Sequence, residues 1–202
     1  MTEKTIQETE ASYGGRTAEI LGDWYATRDA IAGEIEAVEG PHADLFTAGQ
    51  RAEITRTQKA ERARAKAEEY RKQYQQLQTE RNEAVRARTR ALREQLFGVE
   101  DGSALARAAV ATDTQLGGML ELAIHADNAD LARAVFAAAS QRELGELMNR
   151  YFERVNPAAS ELYQEWRSAP SEENLERRLE DAETIFAAPD ASYYFAPAFG
   201  RL

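Results

Sequence analysis

The sequence predicts an all-α fold: a long central helix of coiled-coil type, an amphipathic helix before it, and after it a helical bundle or hairpin stack with an irregular aromatic tail. Three observations lead there. Between Gly49 and Gly98 run 48 residues without Gly or Pro, rich in Ala, Glu, Gln, Lys and Arg, the strongest helix formers. Before that stretch, apolar residues recur at helical spacing. After it, short apolar helical patterns are separated by clear punctuation.

Taken in order, residues 1–16 combine Thr, Gln, Glu and Ser with the pair Gly14-Gly15 and show little periodicity, so a flexible N-terminal arm is expected. From Arg16 to Glu39, Ile20, Trp24, Ile31, Ile35 and Val38 mark one face of an amphipathic helix that stops at Gly40-Pro41. This helix and the long basic one make up an expected region 17–98. At 1.5 Å per residue the long helix would extend ~72 Å, more than the width of a compact domain, so it must project or join other long helices.

Along the long helix, Ala60, Ala63, Ala67, Tyr70, Tyr74 and Leu77 alternate three- and four-residue steps, the rhythm of a coiled-coil seam. Beyond Leu77 the line drifts through Arg81, Val85, Arg88, Leu92 and Leu96, nearer an eleven-residue repeat. A thin seam interrupted by two arginines argues against a strong autonomous zipper and for packing on partners of mixed polarity. Tyr70, Tyr74 and Leu77 are therefore expected to bind a partner.

A boundary is expected at Gly98–Gly102, opening a helical bundle over 99–189. Leu116, Met119, Leu120, Ala123 and Ile124 form one stripe, and Leu131, Val135 and Phe136 a second after the cap Asn128. Ser140 to Glu143 reads as a capping box for a helix carrying Leu144, Leu147, Met148, Tyr151, Phe152 and Val155. Asn156-Pro157 and Ala169-Pro170-Ser171 each read as a further helix start. The tail, 190–202, has four aromatic residues among its thirteen, Tyr193, Tyr194, Phe195 and Phe199. Each large side chain left in water forgoes roughly 1.5 to 3 kcal/mol of burial, so this segment is expected to be covered, by the chain itself or by a partner.

Charge is segregated. Residues 1–50 carry 3 basic and 10 acidic side chains, 51–96 carry 13 and 7, and 97–202 carry 9 and 18, giving −7, +6 and −9 in a chain of net charge −10. The middle can pair with the flanks, within a chain or between copies, while the whole repels nucleic acid at long range. With no cysteine, disulfides, thiolate metal sites and cysteine nucleophiles are excluded. The apolar runs are far shorter than the ~20 residues of a membrane span, and the acidic N-terminus lacks the pattern of a secretory signal. A bacterial cytoplasmic protein, or one within an assembled phage particle, is expected.

No catalytic, cofactor or metal site is expected. His42 and His125, the only histidines, lack ligand spacing. The carboxylate pairs Glu68-Glu69, Glu172-Glu173 and Glu180-Asp181 sit in charge-rich helical faces. Two readings of function follow. In the first, the chain is a non-enzymatic structural or assembly protein that contacts copies of itself or a larger complex through the long helix and aromatic tail. Small helical components of phage particles share this makeup, a likeness of composition rather than of family. In the second, the Arg-rich helix 51–93 binds nucleic acid, with Arg56, Lys59, Arg62, Arg64 and Lys66 neutralising phosphates. The interspersed Glu53, Glu61, Glu68 and Glu69 make this the weaker of the two.

Overall fold

The computed structural model describes residues 4–33 and 46–187. Every regular element in them is helical: α1 (Ile6–Gly33), α2 (Ala48–Phe97), α3 (Gly102–Val110), α4 (Asp113–His125), α5 (Ala129–Gln141), α6 (Gly145–Arg154), α7 (Ala159–Arg167) and α8 (Glu172–Ile185). Among the described residues no helix is long and apolar enough to cross a membrane. The stretch 6–16, expected as an arm, is part of α1. The burial of Ile6 and Thr9 outweighs the weak local propensity of Gly14 and Gly15, since tertiary packing routinely overrides propensity.

The chain forms two compact units. One comprises Ala84–Pro170 with the start of the chain through Ile6, and the other comprises Gln7–Glu83 with the chain from Ser171 onward. The division thus falls within α2, whereas the sequence punctuation suggested Gly98–Gly102, and α8 groups with α1 and the first part of α2 rather than with α3–α7.

In the first unit α5 is central and packs on α3, α4 and α6. Five of its eight buried residues are alanine, Ala132, Ala134, Ala137, Ala138 and Ala139, beside Leu131, Val135 and Phe136. Small side chains let neighbouring helices approach closely. Phe136 is the large exception. It stacks on Phe97 at 5.6 Å and on Tyr151 at 4.5 Å between centroids, with Phe152 and Tyr163 edge-on, arrangements that add about 0.5–1.5 kcal/mol per pair beyond the buried area.

The junctions in this unit explain where local reading succeeds and where it fails. Thr112 and Gln115 form a reciprocal capping box that opens α4, and Asn128 caps α5 by accepting from the Leu131 amide at 2.9 Å. Ser140 to Glu143, read from sequence as a helix start, instead ends α5. The Leu144 amide reaches the Ala139 carbonyl at 2.9 Å and the Glu143 amide the Ser140 carbonyl at 3.3 Å. With Glu143 at φ 57°, this is a Schellman termination, and α6 begins at Gly145 with no side-chain cap. The glutamate occupies a position usually held by glycine, so the usual signal of termination is missing. Likewise α7 begins at Ala159, not at Pro157. In the second unit, Ser171 does cap α8, accepting from the Asn174 amide.

The second unit centres on Trp24 of α1, which lies 6.0 Å from Tyr70 and 6.2 Å from Phe186, with Tyr74 and Phe186 5.4 Å apart. Ala67 and Ala182 complete the buried cluster, and Ile20, Leu21 and Ile185 flank it. Ala60, Ala63, Ala67, Tyr74 and Leu77 are all buried in this chain.

Candidate protein-contact surface

The two arginines that break the apolar line of α2 are each answered by a carboxylate. In the second unit Arg81 pairs with Glu10, which also accepts from Arg178 at 2.9 Å. Burial alone would raise the Glu10 carboxyl, but the hydrogen bonds from Arg81 and Arg178 prevail and hold it below the usual glutamate value. In the first unit Arg88 binds Glu165 through two hydrogen bonds of 2.9 and 2.8 Å, and Glu165 also accepts the amide of Ile6 at 2.8 Å. The Arg88 bonds, which outweigh burial here, lower Glu165 as well. Buried polar groups continue the pattern: Gln78 donates to the Thr17 hydroxyl at 3.0 Å, and Asn82 to the Leu175 carbonyl at 2.7 Å. Sequence reasoning treated Arg81 and Arg88 as interruptions. They are internal attachment points whose partners lie far away in sequence.

This geometry determines what the expected partner-binding residues can do. Tyr74 and Leu77 are buried, and Tyr70 is half-buried with its hydroxyl 3.1 Å from that of Thr27. All three are occupied by the chain's own packing in this structure. Tyr193, Tyr194, Phe195 and Phe199 lie outside the described residues. Of the residues considered for nucleic acid, Arg56 pairs with Glu53, Lys66 with Glu69, and Lys59 donates to the Ala32 carbonyl at 3.2 Å. Arg62 and Arg64 lie on the exposed surface of α2. His125 bonds the Glu121 carbonyl through Nδ1 at 2.8 Å, while His42 lies outside the described residues. Among the described residues no three His, Cys, Asp or Glu side chains gather in a way that could hold a metal ion.

A surface feature that sequence reasoning missed lies between α3 and α4. Arg107, Val110, Ala111, Gln115, Gly118, Met119 and Leu122 line an open groove of about 540 Å³. Val110 is 84% exposed and Leu122 61% exposed. The display of Val110 is built in. Arg142 donates to the carbonyls of Ala109 at 2.8 Å and Ala111 at 2.7 Å, and to Asp113 at 3.1 Å, fixing the backbone on both sides of Val110. One signal was available: Leu122 falls off the stripe formed by Met119, Leu120 and Ala123, and an apolar residue off the buried face of a helix must be displayed or covered from outside. Helix α3 itself went unrecognised, and with it Val110.

The groove offers apolar contact with a single formal charge, Arg107, at its edge. That chemistry suits a hydrophobic or aromatic segment. Comparison with protein-family models, with curated proteins and with solved structures gives no match.

Proposed function

We propose that the chain is a non-enzymatic structural or assembly protein, coiled-coil-like along its long central helix, that makes protein–protein contacts as a component of a bacterial or phage multi-subunit particle. The observation that carries this reading is the α3–α4 groove with Val110 and Leu122 held open to solvent. Exposed apolar groups rimmed by polar ones mark interaction surfaces. Because the seam of α2 is filled from within the chain, the long helix contributes its charged outer face to such contacts, and the aromatic tail contributes burial area. Opposite charge on the middle and flanking segments adds complementarity between copies.

The test is size-exclusion chromatography with light scattering on the purified chain, in low and high salt, with the ratio of absorbance at 260 and 280 nm recorded. A defined oligomer free of nucleic acid is expected. A monomer carrying nucleic acid that salt releases would favour the alternative, a binding module on helix 51–93. A monomer free of nucleic acid at all concentrations would overturn the assembly reading.

A further inference from the structure

We propose that the α3–α4 groove receives the C-terminal segment, residues 188–202, of a neighbouring copy of this chain. The proposal rests on the assembly reading above and names the contact that would mediate it.

The groove is lined mainly by apolar groups. Met119 and Ala111 line it together with the exposed Val110 and Leu122, and at Gly118 there is no side chain. A Cβ added at Gly118 would meet nothing within 4 Å among the described residues, as at eight of the nine other described glycines, so the position can accept a side chain. Glycine within a helix costs about 1 kcal/mol relative to alanine.

The segment supplies the matching chemistry. Tyr193, Tyr194, Phe195 and Phe199 lie within seven residues. The thioether of Met119 favours aromatic edges, and the Arg107 guanidinium at the rim can cover a ring face. Charge does not oppose this segment in a contact between copies. Its charged side chains are Asp190 and Arg201, which cancel, in a chain of net charge −10. Two whole copies repel, whereas a neutral segment meets a groove with one cation at its edge without that opposition. Fully extended, fifteen residues span at most about 50 Å.

The full-length chain carries three methionines, Met1, Met119 and Met148, so ¹³C-methyl labelling gives a sparse spectrum with a reporter in the groove. Met148, buried in the first unit's core, is the internal control. The expected result is an upfield shift of the Met119 methyl that grows with protein concentration while Met148 stays fixed. A full-length variant with Tyr193→Ser, Tyr194→Ser, Phe195→Ser and Phe199→Ser loses this shift. Gly118→Leu places a side chain in the groove at a position where a Cβ meets nothing within 4 Å among the described residues; it should retain the helical circular dichroism of the parent and lose tail-dependent self-association. A Met119 signal indifferent to the tail overturns the proposal. So does a tail-dependent shift independent of concentration, which would place the segment on its own chain. If the parent self-associates and both variants do so equally, the assembly reading stands and the groove assignment fails. If the parent does not self-associate, the assembly reading fails first.

Discussion

Asn82 of α2 donates from Nδ2 to the carbonyl of Leu175 in α8 at 2.7 Å, with the asparagine side chain enclosed almost completely. Its Oδ1 makes no hydrogen bond among the described residues. A single buried amide at such a helix contact specifies register at some expense of stability. Asn82→Ala leaves a cavity and removes the bond, and should destabilise the protein by about 1–3 kcal/mol in urea unfolding. Asn82→Leu removes the unsatisfied oxygen as well, and should stay within about 1 kcal/mol of the parent while hydrogen exchange in α8 accelerates. A loss as large as that of the alanine variant would show that the bond stabilises rather than specifies.

Phe186 closes the aromatic cluster around Trp24 and is 3% exposed. Phe186→Ala should cost about 3–5 kcal/mol and shift the emission of Trp24 to the red, observed with Trp166→Phe as background. Unchanged emission would mean that the cluster closes without it.

Glu10 and Glu165 both have carboxyl groups held below the ordinary value of 4.5. A depressed value means that the folded state binds protons more weakly than the unfolded one. Their contribution is therefore complete above about pH 4.5 and is lost as pH falls through the lower folded values. Thermal melts between about pH 6 and about pH 3 should show this loss, and Glu10→Gln and Glu165→Gln should each flatten the acid limb. Separately, Arg88→Ala should cost about 2 kcal/mol at neutral pH, the worth of hydrogen bonds between charged groups. Equal acid slopes in parent and variants would assign the acid sensitivity elsewhere.

Glu143 sits in the left-handed region at φ 57°, a conformation that costs a residue with a side chain about 1–2 kcal/mol. Glu143→Gly should stabilise the protein by up to about 1 kcal/mol, since glycine's greater freedom in the unfolded chain offsets part of the gain. The midpoint of urea unfolding checks it. A drop in midpoint would mean that the glutamate side chain contributes more than its strain removes.

The all-helical class was legible because uninterrupted helix formers and three- and four-residue spacing are local properties. Caps at Asn128 and Ser171 were legible for the same reason, each being a side chain acting on a backbone amide three residues away. The end of α5 was not, because Glu143 takes a glycine position and so mimics a capping box. Nor could periodicity show that Trp24 and Phe186 would meet, or that Arg81 and Arg88 had their own carboxylates. Those pairings depend on residues distant in the chain. The groove escaped notice for a different reason: exposure of Val110 follows from what Arg142 does to the neighbouring carbonyls, and no pattern within α3 encodes it.

The pairing of Glu10 with Arg178 joins residues 168 positions apart, and it fixes the order in which the molecule can be made. During synthesis α3–α7 and their central α5 are available before α8 exists, so the first unit can form while the chain is still growing. Trp24 and Tyr74 must wait, their apolar surfaces uncovered, until Phe186 leaves the ribosome. A chain stopped before α8 would therefore hold the first unit complete while the apolar surfaces of Trp24 and Tyr74 lack the ring of Phe186.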